Sequence, residues 1–311
     1  MTRRRALVIG CGGTIGAAWV LAALDALRRE IGTEPAEFDI LQGTSCGAEL
    51  VTMLGGGASL DDLLAMQRGD VTDVRLRAHL AATPPRFPPI PQPRLLNPRL
   101  LRSQSGLAAL TGVAPTGRAD ADWLQRLADG FATADGWLPH PGTRMVAFDP
   151  DRGERVVFGA PGSPPAQVGE ALRASWGIPG WMPPVEIGGR RYVDGGARST
   201  ASVDLIAPHE ADIIYVIAPM ASARGVRIPG VGGILENQLL RRPMSRILED
   251  EVTNTRRGGT RVVTIVPGRR DLAGLCANFM DRGRRRAAFD ASMISAPATV
   301  ARALEAAGAM T

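Results

Sequence analysis

Ser45 stands at the centre of Gly43-Thr44-Ser45-Cys46-Gly47, between an apolar run and a helix-like run. The spacing is that of a G-x-S-x-G nucleophile elbow, and the chemistry it suits is acyl transfer through a serine hydroxyl. The turn explains the glycines. A serine lifted to the top of a sheet on a sharp strand-to-helix turn leaves no room for side chains two places either side. The helix that follows, from Cys46, brings backbone N–H groups and a positive dipole end toward the reacting oxygen.

A second segment, Ala6-Leu7-Val8-Ile9-Gly10-Cys11-Gly12-Gly13-Thr14-Ile15-Gly16, runs from apolar residues into a glycine loop. Val20, Leu24 and Leu27 then share one helix face. Such a loop turns several N–H groups toward one point, as an anion site requires. In an esterase the anion is the oxyanion of the tetrahedral intermediate, and donors of this kind contribute about 3–4 kcal/mol. The glycines fall at 10, 12, 13 and 16, so the third glycine of a dinucleotide fingerprint would be Ile15. The dinucleotide reading is set aside on that spacing.

A third segment, Arg191-Tyr192-Val193-Asp194-Gly195-Gly196, ends a short strand-like piece in a Gly-Gly turn. Ala174-Ser175-Trp176-Gly177-Ile178-Pro179 and Pro183-Pro184 precede it, with a hairpin closed by Gly188-Gly189. In order, these motifs resemble the patatin-like lipid acyl hydrolases, over about Arg5 to Ala218. That resemblance implies a three-layer α/β/α fold with a mostly parallel central sheet. It also implies a Ser–Asp dyad without histidine. Carried over by position, Ser45 corresponds to the nucleophile, Asp194 to its base, and Gly12 and Gly13 to the oxyanion-hole glycines. One position departs from the family. The place just before the last loop glycine commonly holds Arg or Lys and here holds Ile15, so a partner for a phospholipid phosphate is missing. Arg198 is a candidate substitute. Ester hydrolysis is the firmer expectation and phospholipase A-type activity the finer one.

The residues argue for a dyad on their own account, because a serine hydroxyl needs a base within hydrogen-bond reach. The chain has three histidines, His79, His140 and His209. The first two fall in segments that read as surface. Ser45, Asp194 and His209 do follow the chain order of an α/β-hydrolase triad, which keeps that alternative open. Against it, Ser45 follows only the second strand-like run, and a strand-like run still follows His209. A catalytically weak lipid-binding or interaction protein on the same fold is the other alternative.

Apolar residues make up 45% of the 311, enough for a large core. No uncharged apolar stretch reaches the length of a membrane span. The basic start at Arg3-Arg4-Arg5 precedes too short an apolar run for a signal peptide, and that run reads as strand one. Three cysteines, Cys11, Cys46 and Cys276, show no metal-like spacing, which suits a reducing, cytoplasmic compartment and no metal or cofactor. Cys46 is either a reactive thiol beside the nucleophile or a space-filling residue. The net charge is +5 and every basic residue is arginine. With aromatics at 5%, the arginine runs lack the stacking partners of a nucleic-acid surface. Weak attraction to an anionic membrane surface fits better, as does a lipid or ester substrate. Oligomeric state leaves no mark on the sequence.

Strand-like and helical runs alternate, which predicts a parallel sheet covered on both faces. Strands are expected at 6–10, 38–42, 145–148, 155–158, 213–218 and 261–266. Helices are expected at 17–29, 46–54, 60–67, 121–132, 168–174, 234–255 (interrupted at Pro243) and 300–307. The proline-rich stretch 83–93 cannot be regular structure. One domain, 1–311, is expected, with an insertion at about 68–120 that is either a lid or a passive excursion. Residues 225–233 read as a mobile apolar loop. Trp176, Trp181 and Met182, close before Asp194, are candidate acyl-pocket residues, as is Ile15 for substrate contact.

Overall fold

The computed structural model describes all residues except 1–2, 83–86, 88, 105, 224, 227–236, 276–277 and 309–311. Cys276, most of the 225–233 loop and the start of the proline-rich stretch therefore lie outside the described residues.

The strands are β1 (Arg5–Ile9), β2 (Ile40–Thr44), β3 (Thr143–Asp149), β4 (Glu154–Phe158), β5 (Val185–Ile187), β6 (Arg190–Asp194), β7 (Ile213–Ile217) and β8 (Arg261–Ile265). They form one mixed sheet in the order β5-β6-β3-β2-β1-β7-β8, with β4 also on β3. Five strands, β3-β2-β1-β7-β8, are parallel, and the β4, β5 and β6 pairings are antiparallel. The helices are α1 (Gly13–Ile31), α2 (Cys46–Gly55), α3 (Leu60–Arg68), α4 (Val74–Ala81), α5 (Leu100–Ser103), α6 (Gly106–Gly112), α7 (Asp122–Asp129), α8 (Val168–Ser175), α9 (Arg242–Arg257), α10 (Arg269–Gly274) and α11 (Arg285–Ala306).

Strand alternation sorts the core into two faces. Leu7, Ile9, Leu41, Met145, Ile217 and Ile265 point into the larger core beneath α1, α2, α8 and α11. Ala6, Val8, Ile40, Ile214, Val216 and Val262 point the other way, against Leu248 and Val252 of α9. Buried on both faces, β1 and β7 read as near-continuous apolar runs, as parallel strands do, while β2 is broken by Gln42. The fold is thus three-layer α/β/α.

Part of the 68–120 stretch packs on the sheet. Leu96, Leu100 and Ala108 pack on Phe148 and Val193 of the sheet. Its helices α4, α5 and α6 carry too little periodicity to be read from sequence. Pro243 lies in the first turn of α9, where a missing N–H costs nothing, and a π turn at Asn237–Arg241 precedes it. At the C-terminus, α11 runs through Pro297 and starts well before the predicted 300. Burial of Phe289, Ala296, Val300 and Leu304 outweighs the lost backbone bond.

Candidate active site

Strand register brings Ser45 and Asp194 together. Met145 of β3 pairs with β2 on one side and β4 on the other. Ala147 pairs with β4 and with Asp194 of β6. Hence β6 takes over from β2 along the same edge of β3. The last β2 pair is Thr44–Val146, and the last β6 pair is Asp194–Ala147. Two carboxyl ends therefore meet head-on. Ser45 leaves one and Asp194 closes the other.

Ser45 has φ 58° and ψ −121°, a conformation few non-glycine residues adopt. Its flanking glycines are dictated by contact. A Cβ on Gly43 would lie 2.3 Å from the Gly47 carbonyl oxygen, and one on Gly47 would lie 2.1 Å from that of Ile9. The Ser45 N–H donates to Ser175 Oγ at 3.0 Å. The Ser45 carbonyl accepts from the Glu49 N–H at 3.1 Å.

The Asp194 carboxyl accepts the Gly196 N–H at 2.7 Å and has the Ser45 hydroxyl beside it. Burial pushes its pKa up to about 7 and outweighs the Ser45 hydroxyl and the Gly196 N–H, which pull the other way. A carboxylate so desolvated is a stronger base toward a serine hydroxyl than one in water. The Cys11 thiol sits nearby, bonded to Thr200 Oγ1 at 3.4 Å. Burial, then the Asp194 charge, pushes it up to about 12. Cys46 is fully buried with its thiol pushed well above the usual range by burial, so it fills space rather than reacts. Both are free thiols.

The glycine loop lies across from Ser45. Gly13 has φ 57°, and a Cβ there would meet Phe279 at 2.6 Å. At Gly12 a Cβ would meet Pro219 at 2.6 Å. The segments after β7 and before α11 press on the loop and exclude side chains from it. The Ile15 N–H is taken by the Phe279 carbonyl at 3.0 Å, and the Cys46 thiol donates to the Gly10 carbonyl at 3.6 Å.

Gly12, Gly13, Ser45 and Asp194 all face one cavity of about 380 Å³. Its apolar wall comes from Leu107, Leu110 and Thr111 of α6, Met220 after β7, Met244 of α9, and Phe279. The four residues put forward from sequence as substrate contacts do not line it. Ile15 is 2% exposed and packs into the large core. Trp176 turns its indole N–H to Glu49 Oε2 at 3.0 Å and packs edge-on against Trp123. Trp181 and Met182 are core residues of the same face. Proximity to Asp194 in sequence misled, because the chain turns inward at the end of α8. Arg198 is half-buried and is not among the cavity residues.

The histidines separate from the site. His209 is exposed and comes before β7, at the amino edge of the parallel strands, whereas Ser45 follows the carboxyl end of β2. Its neighbour Glu210 pairs with Arg144 near the start of β3, on that same edge. The triad alternative fails on this placement. His140 bonds the Phe38 carbonyl at 2.8 Å. His79 is no surface residue. It is buried, stacked on Trp123, with Nε2 2.8 Å from Glu49 Oε1.

The family model described as patatin-like phospholipase matches residues 7–207. The chain belongs to that family. Lipid acyl hydrolase chemistry comes with membership. No curated protein matches the sequence. Among solved structures, VipD from Legionella pneumophila is similar at 14% identity and a TM-score of 0.44, over 96% of this chain and 67% of its own. In this patatin-like chain no helix among the described residues is long and apolar enough to cross a membrane.

Proposed function

We propose that the protein is a lipid acyl hydrolase in one domain over 1–311, cleaving carboxylic esters through Ser45 and Asp194. The reading rests on one observation: a serine held in a strained elbow, beside a buried carboxyl, at the wall of an apolar cavity. Asp194 takes the Ser45 proton as Oγ attacks the ester carbonyl, and the N–H groups of Gly12 and Gly13 hold the oxyanion. Collapse breaks the ester bond, and the leaving alkoxide takes the proton from Asp194. Water then gives a proton to Asp194 and attacks the acyl-enzyme. Ser45 recovers that proton as the acid leaves. Nothing in this scheme calls for a metal or cofactor.

The substrate is an ester with an apolar acyl chain. With Ile15 buried, esters without a phosphate are its first substrates, and phospholipids, cleaved at an acyl ester in phospholipase A-type fashion, are second. Leu110 and Leu239, 59% and 56% exposed, stand at the cavity and give it an apolar collar suited to a lipid surface. The free buried thiols suit a cytoplasmic setting.

The test is hydrolysis of a p-nitrophenyl ester series by wild type, Ser45→Ala and His209→Ala, with fluorophosphonate labelling. Ser45→Ala is expected to lose labelling and at least about a thousandfold in rate, and His209→Ala to keep both. Labelling at another residue, or an inactive wild type, defeats the reading. A second series places the chain. Leu107→Trp narrows the cavity and is expected to cost long-chain esters about tenfold or more in kcat/KM while sparing acetate. Equal losses on both would remove α6 from the acyl wall.

A further inference from the structure

Ser175, the last residue of α8, is wholly buried, and its hydroxyl is used twice. It accepts the Ser45 N–H at 3.0 Å and donates to the Val146 carbonyl at 2.7 Å. Val146 marks the junction where β2 ends and β6 begins along β3. The hydroxyl therefore ties the peptide of the nucleophile to β3, the strand on which both β2 and the Asp194-bearing β6 pair.

The next residue grips the other side of the elbow. Trp176 donates its indole N–H to Glu49 Oε2 at 3.0 Å. Glu49 gives its own N–H to the Ser45 carbonyl and has its other carboxylate oxygen on His79. Both peptide groups of Ser45 are thus controlled from the end of α8. A residue at φ 58° persists only where its surroundings hold it, and its N–H, outside any helix ladder and buried, needs a partner.

We propose that Ser175 is a positioning residue for the acyl-transfer reaction: its hydroxyl fixes the Ser45 backbone so that Oγ meets the Asp194 carboxyl. This rests on the Ser45–Asp194 reading of the preceding section. Ser175 touches neither substrate nor the reacting atoms. Its effect falls on the chemical step, because a displaced nucleophile still leaves the acyl cavity intact.

The experiment measures kcat and KM on one p-nitrophenyl ester for wild type, Ser175→Ala and Ser175→Cys, with active sites counted by exhaustive fluorophosphonate labelling. Ser175→Ala is expected to lose about 10- to 100-fold in kcat per labelled site with KM within about twofold. Ser175→Cys keeps the shape and a weaker hydrogen-bonding group, and should fall between Ala and wild type. Should Ser175→Ala not fold, Ser175→Cys carries the test through its own kcat against wild type. A variant that unfolds at lower temperature yet keeps wild-type kcat per labelled site makes Ser175 merely structural and overturns the proposal. Failure of the underlying reading looks different: wild type itself would not label at Ser45.

Discussion

Asp194→Asn is expected to lower kcat/KM for ester hydrolysis by at least about a thousandfold and, in the same protein, to raise thermal stability at pH 8. Loss of the base accounts for the first effect. The second follows from burial. The folded carboxyl titrates at about 7, against 3.8 for the unfolded chain. Below pH 3.8 both states are protonated and the residue is neutral toward folding. Between 3.8 and 7 the unfolded chain ionises and the folded one does not, so stability falls as pH rises. Above 7 the whole penalty remains, on the order of 4 kcal/mol at most. Asparagine carries no charge and still accepts from the Gly196 N–H. Unfolding midpoints at pH 8 and pH 4 check this: a gain at pH 8 that vanishes at pH 4 is expected, and an Asn variant less stable at pH 8 contradicts it. The same titration governs wild-type activity. Since the base acts ionised, kcat/KM should climb through about pH 7 to a plateau, and a profile flat down to pH 5 would show that another group takes the proton.

Gly47→Ala is expected to cost about 3 kcal/mol or more and to leave little activity in what folds. The new methyl would sit 2.1 Å from the Ile9 carbonyl oxygen and 2.7 Å from its carbon. Neither can yield, since β1 is hydrogen-bonded to β2 and β7 and wholly buried on both faces from Ala6 to Ile9. Overpacking on this scale costs about 1–3 kcal/mol and more where backbone blocks relaxation. A midpoint lower by about 5–10 °C would follow. Gly57→Ala is the control. It has φ 95° with nothing within 4 Å of a Cβ, so it pays strain alone, about 1 kcal/mol. Equal losses at the two positions would mean that crowding at the elbow is not what fixes the glycine.

How much of this was legible beforehand divides by the range of the physics. The elbow, the glycine loop and the Asp194 turn are local patterns whose glycines answer to local crowding, and each lies where the motif put it. The strands β1 and β7 were readable because burial on both faces leaves an apolar run with no alternation to misread. The cavity wall was not readable. Leu107, Met220, Met244 and Phe279 come from four separate segments and carry no motif, so only the folded chain assembles them. Trp176, Trp181 and Met182 looked like pocket residues because they are large, apolar and near Asp194, and the core claims such residues more often than a ligand does. His79 errs in the opposite direction: a histidine in Arg77-Ala78-His79-Leu80 reads as a surface residue, yet it joins Glu49 and Trp123 inside. Ser175 was in view as part of a motif, but a hydroxyl that serves two backbone groups is recognisable only from its partners.

The position of β1 has a consequence for how the chain is made. Its two neighbours are β2, where Ala6 pairs with Ile40, and β7, where Ala6 pairs with Ile214. β1 thus waits for its second partner until β7 has been synthesised. At about 5–20 residues per second, that leaves one edge of this apolar strand unpaired on the ribosome for on the order of ten seconds or more. The helix α1 that follows waits longer, since the α11 that covers it comes after β8. Non-local pairing of this kind slows folding, and an open apolar edge invites pairing with other chains. Residues 7–207, the stretch that matches the family model, end before β7 and so cannot close the sheet alone. A nascent chain cut there would hold the parts of the site and lack the strand that seats them.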